Sequence, residues 1–394
     1  MSDIPSSTSN ATPRELELSD PNDVLTYLAD TPFASTRAES LTGGNANFVF
    51  RLHLAVPFEG RDQTLVLKHA KPWIPMDKTI KFAVERQEFE AMALRHVRAF
   101  LPADALVTVP ALHHYDSKRH VLIMEDCGPH GRTLKEILRD ADVPLSPHAA
   151  RALGTALGRF LAVVHTQGSS DVELLNCVAR NEEGKRLSAL VTYGRLAAML
   201  KGEGESAGLV EPPIAGAGGL SEKDVEDVGA LASETIQAML DASTVFTMGD
   251  FWTGNIMVHL GDGGQVERAY VVDWEVAKPG LPFLDFGQFV AEMHTLRRCH
   301  STAEGSVEEA LSAYAKAYRK EMGTRVDDEY VRGAAAHIGA HLAVWTPRVS
   351  TWGPKNKVRE IVREGAEYLL RSRRGDMEWL KTSVVDELFA QPDA

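Results

Sequence analysis

The sequence predicts an α+β protein of two lobes, a small antiparallel β-sheet lobe with one helix and a larger, mostly helical lobe. Two observations support this. Strand-like segments such as 48–54 lie before residue 125 and surround one amphipathic helical segment at 79–99. Beyond residue 125 the long apolar segments have helical spacing, as in 153–165 and 221–242.

The elements of the small lobe follow from local patterns. A first helix is expected to be capped by Asn22 or Asp23, since either side chain can accept hydrogen bonds from its free N–H groups. Strands are expected across 38–71, where apolar runs are separated by a turn-rich segment. After the helix, two further strands are predicted at 112–115 and 121–124.

Composition divides the chain into a tail and two lobes. Residues 1–20 are rich in Ser, Thr and Pro and offer little to bury, so we expect a disordered tail. The N-terminal lobe is assigned to 21–125 and the C-terminal lobe to 126–394. Within the second lobe, the Gly- and Pro-rich segment 202–220 is predicted to be a flexible insertion.

Charge and composition narrow the class of protein. The 394 residues include 42 Lys and Arg against 55 Asp and Glu, and this net charge of −13 disfavours a nucleic-acid partner. Three widely spaced cysteines exclude a disulfide framework and suit a reducing compartment. The sequence has no apolar run of about 18 residues and no signal-like start. We therefore expect a cytoplasmic protein with no membrane partner, either a monomer or a homodimer.

The most informative segment contains two polar residues at a spacing typical of phosphotransferases. Asp250 and Asn255 have the D-x-x-x-x-N spacing of a catalytic loop in which the aspartate accepts a hydroxyl proton and the asparagine holds a metal ion. Two apolar runs follow, 256–260 and 268–273, and a Gly-Asp-Gly-Gly turn joins them. This pattern predicts a β-hairpin that returns the chain to the loop.

The predicted hairpin brings further oxygen ligands to the loop. Asp273 would lie beside Asn255, and Glu275, two residues further on, would project on the same side of the strand. Paired oxygen ligands of this kind suit Mg²⁺ that carries substrate phosphates. Each of these residues alone is more often a turn residue, but their joint occurrence in this order favours phosphoryl transfer.

On these residues the sequence resembles the aminoglycoside phosphotransferase/choline kinase superfamily, and most of all the methylthioribose kinases and fungal 4-hydroxytryptamine kinases. The resemblance extends from about residue 24 to 375, with Met248 where the family usually has His and Asn255 where methylthioribose kinases have Ser. It implies a protein-kinase-like two-lobe fold, with nucleotide bound by the first lobe and the acceptor by the second. It rests on seven blocks: 41–50, 65–70, 86–94, 249–255, 273–275, 282–287 and 335–345.

The resemblance implies that ATP contacts a lysine of the small lobe. Lys68 lies in an apolar strand segment, where an unpaired ammonium group would be costly to bury. By resemblance it contacts the α- and β-phosphates and pairs with Glu90, while Glu88 and Glu85 remain alternative partners. A solvent-exposed strand lysine is the alternative interpretation.

Two further nucleotide contacts are implied by the resemblance. Residues 124–128 end the fifth strand and resemble the interlobe hinge, where the backbone of Glu125 and Cys127 would contact adenine. A Gly-rich turn resembles the one that covers the phosphates, because glycine allows positive φ and close backbone approach. Its residues are Gly43, Gly44, Asn45 and Asn47.

Aromatic residues are the candidates for binding the acceptor. Trp252 lies inside the catalytic loop, and Trp345 and Trp352 flank Arg348 in a region that forms the acceptor site in the relatives. Each tryptophan is also explained by core packing, since an indole buries a large apolar area. The four residues are therefore predicted as acceptor-binding with that alternative open.

Three other polar residues are interpreted as structural. Asp285 is expected to hold the catalytic loop through hydrogen bonds and not to bind metal. His337 and His341 are spaced as an i, i+4 pair, but the sequence offers no third zinc ligand. We interpret them as hydrogen-bonded helix residues.

The function expected from these residues is an ATP- and Mg²⁺-dependent kinase. Its acceptor would be the hydroxyl of a small polar or amine-bearing alcohol, hydroxytryptamine-like or methylthioribose-like. A protein kinase is disfavoured because the short interval between Asp273 and Asp285 leaves no room for an activation segment. The alternatives are an aminoglycoside- or choline-type kinase and a catalytically silent, nucleotide-binding regulatory homologue.

Overall fold

The N-terminal end of the described chain is ordered against the sheet lobe. Leu18 is only 1% exposed and packs in one cluster with Val24 and Leu28. The predicted tail, residues 1–20, is therefore wrong for its last residues, because leucine side chains find apolar partners there; residues 1–15 lie outside the described part. The computed structural model describes residues 16–41, 46–128, 131–140, 145–216, 218–300 and 304–390.

The small lobe is built on a five-stranded antiparallel sheet of order β1-β2-β3-β6-β5, with one long helix packed against it. Lys68 lies near the end of β3, opposite Val49 of β2 and Leu122 of β6. The elements are α1 (Pro21–Leu28), β1 (Ser35–Ser40), β2 (Phe48–Phe58), β3 (Asp62–His69), α2 (Arg86–Phe100), β4 (Val107–Thr108), β5 (Leu112–Asp116) and β6 (Val121–Glu125).

Two helix starts differ from the prediction. The cap of α1 is Asp20, whose carboxylate accepts hydrogen bonds from the N–H groups of Asn22 and Asp23, so neither of those residues is the cap. Helix α2 begins at Arg86 and not at residue 79. The preceding segment is irregular because Arg86 donates to the carbonyl oxygens of Phe82, Ala83 and Lys71, and these contacts hold the chain in a turn.

The large lobe is mostly helical and contains one extended hairpin. In it α4 packs on α10 and α11 packs on α12. Its elements are β7 (Arg132–Thr133), α3 (Leu134–Arg139), α4 (Pro147–Ser170), α5 (Val172–Val178), α6 (Glu182–Thr192), α7 (Leu196–Lys201), α8 (Glu222–Asp241), β8 (Phe246–Thr247), β9 (Ile256–Leu260), β10 (Val266–Val271), β11 (Lys278–Pro279), α9 (Pro282–Cys299), α10 (Glu304–Met322), α11 (Asp328–Val344), α12 (Lys355–Arg374) and α13 (Met377–Leu380).

The segment predicted as a flexible insertion, 202–220, is anchored at two points. Apart from residue 217 it is described, with one short 3₁₀ turn at Gly204–Ser206. Val210 and Ile214 are 3% and 2% exposed and belong to the core of the large lobe. Apolar side chains within a Gly-rich segment therefore hold it against the helices.

The predicted hairpin is present and sets the geometry of the polar residues that flank it. Strands β9 and β10 pair antiparallel, with Ile256 opposite Val271. The N–H of Val272 donates to the carbonyl oxygen of Asn255 at 2.9 Å, so Asp273 follows directly beside Asn255. The predicted fold class, a protein-kinase-like two-lobe α+β architecture, is confirmed. Among the described helices, none is long and apolar enough to cross a lipid bilayer.

Candidate active site

Asp285, in the first turn of α9, fixes the loop that carries Asp250. Its two carboxylate oxygens accept hydrogen bonds from the backbone N–H groups of Met248 and Gly249, each at 2.8 Å. Burial favours its neutral form, but the hydrogen bond and charge of His165 hold the pKa of Asp285 below its usual value. A charged carboxylate thus satisfies two buried N–H groups, and the predicted bracing role of Asp285 is confirmed.

Both carboxylate oxygens of Asp250 are oriented by amide groups. Gln288 Nε2 on α9 donates to Oδ1 at 2.7 Å, and Asn255 Nδ2 donates to Oδ2 at 3.0 Å. Burial raises the pKa of Asp250, while these two hydrogen bonds oppose the shift. A buried aspartate with a raised pKa is a stronger proton acceptor than an exposed one, and here its direction is fixed.

Lys68 lies close to three carboxylates. Its Nζ lies 2.7 Å from Glu90 Oε1, 2.5 Å from Asp273 Oδ1 and 3.6 Å from Glu275 Oε2. The ion pair with Glu90 is therefore present, whereas the alternative partner Glu88 contacts Arg180. The hairpin and the sheet thus bring together residues that lie far apart in the sequence.

The charges of this cluster are tightly linked. Burial disfavours the ammonium ion, yet the neighbouring carboxylates keep the pKa of Lys68 well above its ordinary value. Burial raises the pKa of Glu90, and it raises the pKa of Glu275 to about 8 although Lys68 acts in the opposite direction. Asp273 has φ of +64°, in the left-handed region that non-glycine residues rarely adopt. Such strain is concentrated at functional sites.

The same cluster has the chemistry of a divalent cation site. One carboxylate oxygen from each of Glu90, Asp273 and Glu275 lies within 4.8 Å of the others. Glu90 Oε2 is buried without a hydrogen-bond partner, and Glu275 Oε2 has none closer than Lys68 Nζ at 3.6 Å. A buried carboxylate oxygen without a close donor is costly unless a cation satisfies it. The side-chain N–H of Asn255 donates a hydrogen bond to Asp250, so the side-chain oxygen of Asn255 is directed away from that carboxylate. Hard oxygen donors of this kind fit Mg²⁺.

The predicted adenine contacts are partly occupied by the protein itself. The N–H of Glu125 donates to the carbonyl of Ala111 at 2.8 Å, and its carboxylate accepts from the Tyr270 hydroxyl at 2.8 Å. The carbonyl oxygen of Cys127 contacts His259 Nε2. The Glu125 N–H and the Cys127 carbonyl oxygen are therefore already paired within the protein, and the adenine contacts of these two residues stay a prediction.

The predicted phosphate-covering turn lies mostly outside the described residues. This applies to Gly43, Gly44 and Asn45. Asn47 is described and is 5% exposed, and its Oδ1 accepts hydrogen bonds from Arg86 Nε and Gln87 Nε2 at 3.1 and 3.0 Å. The side chain of Asn47 thus fixes the start of α2, because two donors of that helix require an acceptor there.

A cavity of about 230 Å³ opens beside Asp250 in the large lobe. Its lining includes Asp250, Lys278, Gln288, His337, His341 and Trp345. A larger groove of about 780 Å³ between α9, α10 and α12 shares no residue with it and lies away from Asp250. The smaller cavity is therefore the one that an acceptor would occupy.

The polar residues of the cavity include a lysine and a histidine whose pKa values are lowered by burial. Burial lowers the pKa of Lys278 to about 8, and its Nζ donates to the carbonyl of Val276 at 3.0 Å. Gly249 has φ of +83°, and a Cβ there would collide with this Nζ, which accounts for glycine before Asp250. Burial lowers the pKa of His337 to about 3, so its imidazole is neutral. The cavity is thus mainly apolar, with Lys278 close to Asp250.

The four predicted acceptor-binding residues lie in two places. Trp345 lines the cavity, and Arg348 packs over its ring at 5.9 Å. Trp252 and Trp352 do not line this cavity in the described structure; their rings flank the Lys135 Nζ at 4.8 and 4.4 Å. The fold thus places Trp345 and Arg348 near the cavity, and it places Trp252 and Trp352 around Lys135. An acceptor-binding role for these four residues stays a prediction.

The histidine pair is hydrogen-bonded as predicted. His337 Nδ1 lies 2.9 Å from the hydroxyl oxygen of Tyr193, and His341 Nε2 lies 2.9 Å from Glu292 Oε1. Sequence reasoning missed Glu292 as well as Gln288 and Lys278. The available signal was the polar pair Gln288 and Glu292, one turn apart on an otherwise buried helix.

Comparison with known proteins places these features in a family. The family model described as "Phosphotransferase enzyme family" matches residues 53–328. The chain is 28% identical over 376 residues to the 4-hydroxytryptamine kinase of Psilocybe cyanescens, with 92% of this chain and 95% of the relative covered. It is 26% identical over 353 residues to that of Psilocybe cubensis, covering 87% and 90%.

A solved structure of similar fold is a choline/ethanolamine kinase family protein from Mesorhizobium loti. It is 16% identical, with a TM-score of 0.43 and coverage of 93% of this chain and 98% of that one. The matched residues of the family model, 53–328, make up well over half of the 394-residue chain. The chain therefore belongs to the phosphotransferase enzyme family, as the resemblance in its sequence predicted.

Proposed function

We propose that this protein is an ATP-dependent small-molecule kinase that phosphorylates the hydroxyl group of a small amine-bearing alcohol. Membership of the phosphotransferase family supports the reaction class. The observation that carries the proposal is the position of Asp250, whose fixed carboxylate lines a small cavity. The β9–β10 hairpin that follows this loop returns the chain to Asp273, which contacts Lys68. The proposed base and the proposed phosphate-binding groups are thus joined by one hairpin.

The nucleotide side is assigned to the Lys68 cluster. The family implies use of ATP and typically of a divalent metal, and the ammonium of Lys68 would orient the phosphates. Asp273, Glu275 and Asn255 would hold Mg²⁺, which the unpaired carboxylate oxygens described above favour. When bound, Mg²⁺ supplies positive charge that stabilises the phosphates in the transition state.

Asp250 is assigned as the general base. It would accept the proton of the acceptor hydroxyl as that oxygen bonds to the γ-phosphorus, while the bond from phosphorus to the β–γ bridging oxygen breaks and ADP leaves. Hydrogen bonds from Gln288 and Asn255 fix the orientation of the Asp250 carboxylate, and burial raises its pKa. The residues thereby position the acceptor oxygen, which is the main requirement of phosphoryl transfer.

The size of the cavity favours a small acceptor. At about 230 Å³ it is below the ~300–1,000 Å³ of pockets that enclose drug-sized ligands. The indole of Trp345 and the neutral imidazole of His337 suit an aromatic ring, which supports a hydroxytryptamine-like acceptor over a multi-ring aminoglycoside. The relatives named 4-hydroxytryptamine kinase support the same choice. A methylthioribose-like sugar alcohol is the second candidate by size.

Two arrangements argue against a silent regulatory homologue. Lys68 and its carboxylates are assembled, and Asp250 is oriented by two amides. Met248, in the place of the usual family histidine, is fully buried in the core, and Asp285 holds the loop through its backbone. The substitution therefore leaves the loop supported.

Calorimetry and an ADP-release assay test the proposal. The protein should bind Mg·ATP and release ADP with 4-hydroxytryptamine, while tryptamine, which lacks the hydroxyl, should give no release. Methylthioribose, choline and an aminoglycoside complete the panel. Absence of Mg·ATP binding at millimolar nucleotide would contradict the kinase function, and equal ADP release with tryptamine would indicate hydrolysis only.

A further inference from the structure

Lys135 of α3 is enclosed in an arrangement that normally recognises a ligand cation. Its Nζ lies 4.8 Å from the Trp252 ring and 4.4 Å from the Trp352 ring, with Glu292 Oε2 at 3.2 Å. Trp352 is 2% exposed, whereas the Lys135 side chain is 15% exposed. Two indole faces and a carboxylate around one ammonium group form an aromatic cage.

The carboxylate of this cage is held in its charged form. The Glu292 side chain is only 9% exposed. Burial favours its neutral form, but the hydrogen bond and charge of His341, together with Lys135, keep the pKa of Glu292 below its usual value. His341 contacts one oxygen of Glu292, and the other oxygen faces the cage, where it favours a cation between the two indole rings.

The cage adjoins the cavity beside Asp250. Glu292 follows Gln288 by one turn of α9, a rise of roughly 6 Å, and Gln288 contacts Asp250 directly. The second oxygen of Glu292 is 2.9 Å from His341, which lines the cavity. Glu292 therefore connects the cage to the cavity wall through its contact with His341.

We propose that Trp252, Trp352 and Glu292 form the subsite for the ammonium group of the acceptor, and that Lys135 occupies this subsite as an intramolecular competitor that the acceptor amine displaces. The inference rests on the proposed function for the hydroxyl end of the acceptor, which Asp250 receives. What the inference adds is the binding site for the amine end of the acceptor. A molecule with an aromatic hydroxyl and a short aminoalkyl chain matches this arrangement, because Gln288, which holds the base Asp250, and Glu292 of the cage lie on neighbouring turns of one helix.

Lys135 is suited to leave the cage. It lies in the first turn of a six-residue helix and its long flexible side chain already reaches solvent. An occupant of this kind reduces the apparent affinity of the acceptor by the fraction of molecules whose cage is filled. A neutral compound of the same shape needs no cage and is unaffected by the competition.

Binding of tryptamine to the full-length protein, measured by calorimetry, tests this. Lys135→Gln should tighten tryptamine binding by about fivefold to tenfold, and Glu292→Gln should weaken it by at least about tenfold. Neither should change the affinity for 3-ethylindole, which has no charge. Arg139→Gln is the matched control, because it removes one positive charge from an exposed position of the same helix.

Unchanged or weaker tryptamine binding in Lys135→Gln would overturn the proposal, as would equal tightening of 3-ethylindole. Lys135→Met repeats the test with a side chain that cannot hydrogen-bond, and circular dichroism checks the fold of each variant. Tryptamine cannot be phosphorylated, so these results do not depend on catalysis. Tighter tryptamine binding without ADP release from any alcohol would refute the kinase function and leave the amine subsite standing.

Discussion

Two lysines, Lys68 of the carboxylate cluster and Lys135 of the aromatic cage, differ in their surroundings. Lys68, on β3, is 4% exposed in its side chain and is surrounded by Glu90, Asp273 and Glu275. Lys135, on the short helix α3, is 15% exposed and has one carboxylate partner, Glu292, between two indole rings. The first lysine is therefore held by more charged partners and is less exposed than the second.

The difference lies in how many acidic groups depend on each ammonium group. Removing Lys68 leaves several buried acidic groups facing one another. Removing Lys135 leaves one carboxylate that still contacts His341. The contacts thus predict that the Lys68 cluster and the Lys135 cage respond differently to substitution.

The largest effect is expected from separating the base from the metal site. Asp250→Asn should lower kcat by roughly 10²–10⁴ and leave Mg·ATP affinity nearly unchanged, because the base acts on the acceptor. Asp273→Asn should weaken Mg·ATP binding as well as kcat, since it removes a proposed metal ligand and a partner of Lys68. Calorimetry beside steady-state kinetics measures both quantities. Loss of nucleotide affinity in Asp250→Asn alone would reverse the assigned roles.

The second prediction compares the two lysines directly. Lys68→Met should lower the free energy of unfolding by about 3–5 kcal/mol, because it leaves buried carboxylates uncompensated. Lys135→Met should change it by less than about 1 kcal/mol, since that side chain is partly exposed. Adding Glu90→Gln to Lys68→Met should cost less than the sum of the single changes. Urea denaturation measures these values, and equal losses for the two lysines would remove the distinction.

The third and smallest effect concerns Lys278, which lies in neither the Lys68 cluster nor the Lys135 cage but lines the cavity beside Asp250. Its pKa falls from 10.5 to about 8 on folding because of burial, so below pH 8 its charge destabilises the folded state, by about 3 kcal/mol. The penalty disappears as pH rises toward 10.5, where the unfolded chain also loses this proton. Lys278→Met should therefore be more stable than the wild type at pH 7, and its advantage should shrink by pH 10. An advantage independent of pH would show that Lys278 does not titrate in this way.

The part of the site joined by local structure was predictable from the sequence. Asp250, Asn255 and Asp273 are connected by a short loop and one hairpin, so their spacing and the Gly-rich turn determine their proximity. The partner of Lys68 was different, because a strand residue and a helix residue meet only through tertiary packing. Glu90 was identified among three candidates through resemblance, and the structure shows the contact.

Trp252 and Trp352 were predicted as acceptor-binding, but their contacts with Lys135 and the nearby Glu292 could not be predicted from the sequence, for a physical reason. Lys135, Trp252, Glu292 and Trp352 come from four separate segments, and their meeting depends on how α3 and α9 pack. No local pattern encodes that packing. The start of α2 was missed for a related reason, since the carbonyl contacts of Arg86 that end the irregular segment are not visible as helix or strand periodicity.

Helix α9 carries three of the groups discussed above on successive turns. Asp285 holds the catalytic loop, Gln288 holds the base, and Glu292 lies at the aromatic cage. Because a helix advances a fixed ~1.5 Å per residue, these positions cannot shift independently. With Gln288 holding the proposed base and Glu292 at the proposed amine subsite, this helix would fix the distance between the hydroxyl and amine groups of an acceptor. An acceptor of different length would then require a different residue spacing along the same helix.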